Sequence, residues 1–276
     1  PTFKKSVEEC SALAKKHSGW SIEEELLRDE KNSKLADTAI AQPCIVALQI
    51  SLLALFNHWG VSPSAVVGHS IGEVSACYAA GVFSLEDTLR LAVVRGRIMK
   101  KATGLGKMAS VSLPEQDLLP YLADHPGLTV GATNAPSATV VSGTKDGVEK
   151  LLASLSSKGV QAKELKVDYA FHSEQVAPFM HELEKELSAF LSPKAPSTRI
   201  ISTLTGKEEK DVSTSFSPAY WAKQMRGSVR FLDATKTLLA SDYDLFLELS
   251  PHPVLAAAID ETASNEKKQA SVVYSL

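Results

Sequence analysis

The sequence predicts an α/β fold organised around one strand-turn-helix unit, and three observations carry that reading. Short apolar runs alternate with helical periodicities along most of the 276 residues, as in a mostly parallel sheet covered on both faces. One such run, Ala65-Val66-Val67, passes through Gly68-His69-Ser70-Ile71-Gly72 straight into a helical pattern. A Gly-x-Ser-x-Gly turn between strand and helix is a nucleophile elbow, which predicts an α/β-hydrolase-like core. Between Gly104 and Asp168 the order becomes strand, helix, strand, strand, helix, strand, the signature of a small ferredoxin-like insertion. The chain is therefore expected to divide into a large subdomain, residues 1–104 and 170–276, and a small one, residues 105–169.

Composition narrows the function classes. With 44% hydrophobic and 22% charged residues the chain has ordinary globular proportions. A formal net charge of −3 gives no footing for nucleic acid or a basic membrane surface. Cys10, Cys44 and Cys77 lack CxxC spacing, and two lie in apolar helical stretches; buried, reduced thiols and a cytoplasmic setting are expected. The longest apolar run is broken by Gln49 and Ser51, so no membrane span is expected. Neither metal-ligand spacing nor a glycine-rich nucleotide loop is present in the sequence.

The elements follow in order. Helical stretches at 3–16 and 22–28 precede a strongly apolar helix over 42–59, ended by Gly60. After the strand at 65–67 and the elbow, a helix runs to about Ala80 and Gly81 closes it. Ser84, Glu86 and Asp87 start the next helix, which carries Arg95 and Arg97. In the insertion the strands are expected at 108–113, 128–132, 138–143 and 160–167, with helices at 114–123 and 146–157. Then come a strand at 199–203, helices at 218–225 and 229–241, a strand at 244–249, a helix at 254–262 and a final strand.

A serine hydroxyl must be exposed, deprotonated and opposite oxyanion donors to act as a nucleophile. Gly68 and Gly72 are expected to permit the sharp turn that strains Ser70 at a helix N-terminus. Of seven histidines, His17 and His181 lie on polar helical stretches, His125 in a loop and His58 at a helix end. His172 follows Tyr169-Ala170-Phe171 where the chain leaves the insertion, a junction that can line a cleft. On the residues alone a catalytic base and a structural histidine are equal readings of it.

Eight motifs then occur in one order: Gln42-Pro43, Gly68-His69-Ser70-Ile71-Gly72-Glu73, Val94-Arg95-Gly96-Arg97, Asn134-Ala135-Pro136, Val141-Ser142-Gly143, Tyr169-Ala170-Phe171-His172-Ser173, Tyr220-Trp221 and Ser250-Pro251-His252-Pro253. Together they resemble the malonyl-CoA:acyl-carrier-protein transacylase family, and within it the acyltransferase domain of an iterative fungal type I, highly reducing-like, polyketide synthase. The resemblance implies ping-pong transfer of a malonyl extender unit from malonyl-CoA, through an ester on Ser70, to the phosphopantetheine thiol of an acyl carrier protein. It implies His172 as the base, oriented by a backbone carbonyl that the 249–252 segment is expected to supply, and Arg95 as the partner of the malonyl carboxylate. No permanently bound cofactor is implied; the carrier protein and a ketosynthase are the implied partners.

In the same resemblance Ile71 lends its amide to the oxyanion, and Ile71 and Phe171 shape a malonyl-sized pocket, whereas Tyr169 matches methylmalonyl-type members. Gln42, His69 and Asn134 belong to motifs near the site, but Gln42 could equally cap a helix, Asn134 hold a turn and His69 pack in the elbow. Arg97 reads as a surface residue, Tyr220 and Trp221 as core, and His252 as a loop-shaping residue. Members of the family open with a strand and a Gly-Gln-Gly-type turn that supplies the second oxyanion amide. No such turn stands before the first helical stretch, so weak activity is expected of these 276 residues alone. The rival readings are a serine hydrolase or thioesterase, and an inactive docking domain for the carrier protein.

Overall fold

The computed structural model describes residues 1–211 and 215–275. Helix α1 (Thr2–Ser18) ends at Gly19, and α2 (Ile22–Leu26) is capped by the Ser21 hydroxyl. Helix α3 (Thr38–His58) starts earlier than Gln42-Pro43 suggests, because Asp37 caps it by accepting from the Ala39 N–H at 2.9 Å. Pro43 is carried in its second turn, where it forfeits one intrahelical bond without ending the helix. By length and composition α3, with a mean hydropathy of 2.0, could cross a membrane. Here it packs against α1, α4 and α5 as a core helix.

Strand β1 (Ala65–Val67) delivers the chain to the elbow, and α4 (Gly72–Ala79) and α5 (Leu85–Lys100) follow. Within the insertion, β2 (Lys107–Val111), α6 (Glu115–Ala123), β3 (Leu128–Ala135), β4 (Ala138–Gly143), α7 (Lys145–Ser157) and β5 (Ala162–Glu164) keep the expected order. Their sheet runs β3-β4-β2-β5 with every neighbouring pair antiparallel. One face, with Ala109, Val111 and Val141, meets Leu118, Val148, Leu151 and Leu155 in a core of its own. The neck of the insertion is closed by the Gly104 N–H donating to Asp168 O at 2.6 Å.

Beyond the neck, a short 3-10 helix (Glu174–Phe179) runs into α8 (Met180–Ser188), an element the sequence reading did not delimit. Then come β6 (Arg199–Ile201), α9 (Pro218–Arg226), α10 (Phe231–Leu239), β7 (Leu245–Glu248), α11 (Ala256–Asn265) and β8 (Ser271–Tyr274). The single mostly parallel sheet that was expected is, among the described residues, two parallel pairs, β1 with β6 and β7 with β8. The strands are only three or four residues long, so their ladders end before joining. The second face of the β3-β4 hairpin closes over Val229, Phe231, Ile201, Phe246 and Ile259, which ties the insertion to both pairs. All three cysteines are buried and free, and burial raises each thiol pKa, Cys10 to about 11 and Cys44 to about 12.

Candidate active site

The turn after β1 is built by backbone hydrogen bonds that begin just beyond the serine: Gly72 N–H donates to His69 O at 2.9 Å and Glu73 N–H to Ser70 O at 3.1 Å. The positive φ of the elbow falls on Ser70 itself, at 51°, a conformation costly for a residue with a side chain. The strain expected at Ser70 is thus present, and Gly68 and Gly72 themselves do not take a positive φ. Gly68 serves by its small size: a Cβ there would meet the Glu73 nitrogen and the Gly72 carbonyl at 2.3 Å.

Ser70 Oγ lies 2.8 Å from His172 Nε2. On the far side of the ring, His172 Nδ1 lies 2.8 Å from Gly227 O. A carbonyl only accepts, so Nδ1 carries the proton and Nε2 is free to take one from the serine. This corrects the expected source of the orienting carbonyl. It comes from Gly227, at the end of α9, whereas His252 is exposed in the loop before α11. That loop is held instead by the Glu248 carboxylate, which accepts from the N–H groups of Val254, Leu255 and Ala256. The His172 pKa is lowered to about 3 by burial, by the Arg95 charge and by His69, in that order. The imidazole is thus neutral at physiological pH.

Arg95 is only 1% exposed. Its Nη1 donates to Gln42 Oε1 at 2.6 Å, and its Nη2 donates to Gln224 Oε1 at 3.1 Å and to Ser70 Oγ at 3.3 Å. Its Nε has no partner among the described residues. Burial lowers its pKa to about 10, against the raising influence of Glu73, so it remains a cation. Gln42 does not cap a helix: it lies inside α3, where its Nε2 donates to Thr38 Oγ1 at 2.9 Å.

His69 Nε2 is 2.9 Å from Asn134 Oδ1, a contact that joins the elbow to β3 of the insertion. Asn134 therefore holds the elbow histidine, and burial lowers the His69 pKa. Phe171 is buried and its ring stacks on Tyr169 with centroids 3.8 Å apart. Arg97 pairs on the surface with Glu186. Trp221 and Tyr220 are core residues, as read, and the Tyr220 hydroxyl also donates to Glu73 Oε1 at 2.7 Å. Sequence reasoning passed over Gln224, Glu73 and the Gly227 carbonyl. Gln224 carried one usable signal, a polar side chain four residues after Tyr220 on the same buried helix face.

A strained serine, a neutral histidine oriented by a carbonyl, and a buried cation beside the serine oxygen make an arrangement able to activate a serine nucleophile. The chain belongs to the acyl transferase domain family, whose model matches residues 1–276. It is 38% identical over 263 residues to the polyketide synthase GfsB of Streptomyces halstedii, a match covering 95% of this chain and 5% of that protein. It is 37% identical over 266 residues to the pikromycin synthase component PikAIII of Streptomyces venezuelae, covering 96% and 17%. The chain thus spans a small part of these curated relatives, which are bacterial. Among solved structures, the acyltransferase domain from module 8 of the salinomycin polyketide synthase matches with a TM-score of 0.94 and 32% identity, covering all of this chain and 65% of that one. The malonyl-CoA:ACP transacylase of Synechocystis matches with a TM-score of 0.84 and 29% identity, covering 98% and 88%.

Proposed function

We propose that the chain transfers a malonyl unit from malonyl-CoA to the phosphopantetheine thiol of an acyl carrier protein in polyketide assembly. The observation that carries this reading is the buried Arg95 guanidinium 3.3 Å from Ser70 Oγ, a fixed cation within reach of an acyl group on the serine. A guanidinium fits a carboxylate with two parallel hydrogen bonds. The Ser70 proton passes to His172 Nε2 as Oγ attacks the thioester carbonyl. The C–S bond then breaks, and the coenzyme thiolate takes the proton from the imidazolium. In the second half the carrier thiol gives its proton to His172 and attacks the ester, and Ser70 recovers its proton as the C–O bond breaks. The Ile71 amide, at the start of α4, is assigned to the oxyanion, and the Tyr169–Phe171 stack to the wall of the acyl pocket.

In this reading residues 1–104 and 170–276 form an α/β-hydrolase-like subdomain and 105–169 a ferredoxin-like one, supported by the β3-β4-β2-β5 order and the separate core. A carrier protein and a ketosynthase are the proposed partners, no cofactor is held permanently, and a cytoplasmic location goes with the three reduced thiols. The assignment to an iterative fungal synthase rests on the motif resemblance alone. A serine hydrolase has no use for Arg95, and a docking scaffold has none for the Ser70–His172 bond.

Labelled malonyl-CoA separates the three. Stable label on Ser70 that moves to carrier protein is expected, and Ser70→Ala should abolish it. Rapid release to water would indicate a hydrolase, and absence of label a scaffold. Arg95→Ala should weaken malonyl transfer far more than acetyl transfer, because the carboxylate loses a partner worth about 3–5 kcal/mol. Equal loss of both would remove Arg95 from its role.

A further inference from the structure

Gln224 stands between groups of opposite hydrogen-bonding character. Its Oε1 accepts from Arg95 Nη2 at 3.1 Å, while its Nε2 donates to Ser70 O at 2.8 Å and to Glu73 Oε2 at 3.1 Å. Arginine only donates, and a backbone carbonyl and a carboxylate oxygen only accept, so one orientation of the amide satisfies all three. Glu73 is itself fixed. It is fully buried in the first turn of α4, and its Oε1 accepts from the Thr203 N–H at 3.0 Å and from the Tyr220 hydroxyl at 2.7 Å. Tyr220 in turn meets Ser202 Oγ at 2.5 Å. The chain of contacts runs from β6 and α9 through Glu73 and Gln224 to the guanidinium beside the nucleophile.

We propose that Gln224 is a positioning residue that aims the Arg95 guanidinium at the acyl carboxylate, and that Glu73 fixes the direction of the Gln224 amide. The proposal rests on the reading of Arg95 as the malonyl partner and extends it to two residues that act through Arg95. Gln42 holds Nη1 and Gln224 holds Nη2, so the plane of the fork is set from both ends. Without Gln224 the Nη2 end is held only by Ser70 Oγ, the oxygen that becomes acylated. In Glu73→Gln the two donors at Oε1 keep the new amide oxygen on their side. Its NH2 then faces the Gln224 NH2, and the amide that met Arg95 as an acceptor is driven to turn.

The test compares malonyl-CoA with acetyl-CoA as acyl donors for the purified chain carrying Gln224→Leu, Glu73→Gln or Arg95→Ala, with thermal unfolding measured alongside. Gln224→Leu should raise the malonyl-CoA KM by about tenfold or more, the range for a lost hydrogen bond to a charged group. Its acetyl-CoA kcat/KM should fall by a clearly smaller factor, since only the lost Nε2 bond to Ser70 O bears on both donors. Glu73→Gln should move the malonyl-to-acetyl ratio in the same direction by less. Equal losses with both donors in Gln224→Leu, or an unchanged malonyl KM, overturn the proposal. If Gln224→Leu does not fold, Gln224→Met carries the same expectation. The Arg95→Ala arm keeps the two readings apart. A malonyl-to-acetyl ratio unaltered there defeats the carboxylate role of Arg95, whereas a ratio that falls there but not in Gln224→Leu defeats only the role of Gln224.

Discussion

The His172 imidazole sits in a place hostile to its own protonation. Burial strips the cation of solvent, Arg95 repels it, and His69 adds to the effect, so the pKa falls from 6.5 to about 3. The folded protein therefore binds its proton at lower pH than the unfolded chain does. Between these two values the unfolded state holds more protons, and this group makes stability fall as pH falls. Glu73 acts in the opposite sense. Burial raises its pKa from 4.5 to about 7, and its contribution is complete at low pH and lost as pH rises through about 7. For activity, acylation by acetyl-CoA, a donor without the carboxylate that Arg95 would hold, should show no limb near 6.5 from an ordinary histidine as pH falls from neutral to about 5. Burst labelling of Ser70 across that range checks this, and a limb near 6.5 would contradict it. In Arg95→Ala the imidazole should become easier to protonate, measurable as an upward shift in its NMR titration. At this scale Ser70, His172 and Arg95 were legible through their motifs. The carbonyl that orients His172 was not, because a backbone oxygen leaves no mark on residue type, and Gln224 hid among the aromatic core residues of α9.

At the scale of the element, strand, elbow and helix were legible because β1 is apolar, the turn is marked by glycines and α4 begins at once. What the motif could not show is how the two glycines differ. Gly68 has Glu73 N and the Gly72 carbonyl within 2.3 Å of where a Cβ would stand, whereas at Gly72 the nearest atom is Gln49 Nε2 at 3.6 Å. The serine, not either glycine, takes the left-handed conformation. Gly68→Ala should therefore force the turn open, costing about 1–3 kcal/mol or more of stability and most of the labelling. Gly72→Ala should keep both within a small margin, since alanine also favours the first turn of a helix. Unfolding in denaturant with Ser70 labelling on each variant decides it; equal damage would show that Gly72 supplies more than space. The strand bounds were less legible: β6 and β7 are shorter than the strands expected at 199–203 and 244–249 because the chain passes there into turns held by side chains. Ser202 Oγ accepts from the Leu204 N–H at 3.0 Å, and Glu248 binds the start of α11.

Over the whole molecule, the order of elements in the insertion was legible from alternating periodicities, but its attachment was not, since the contacts that attach it join residues far apart in the chain. The β3 strand is bonded to the segment after α9, with Thr133 N–H donating to Val229 O and Val229 N–H to Gly131 O, both at 2.9 Å. The same strand sends Asn134 to His69, next to the nucleophile. Position of the insertion and geometry of the elbow are thus joined through one side-chain contact. Asn134→Ala should leave the partly buried His69 N–H without its acceptor, at a cost of about 1–3 kcal/mol, and should lower the labelling rate more than the unfolding temperature. Asn134→Asp keeps an acceptor in place but attracts a proton to His69. A charged His69 adds a second cation beside His172 and depresses its protonation further. The aspartate variant should therefore retain the stability that the alanine variant loses, yet show an acylation profile that changes with pH as His69 titrates. If alanine and aspartate lower rate and stability alike at every pH, the contact is packing alone and the elbow does not sense where the insertion lies.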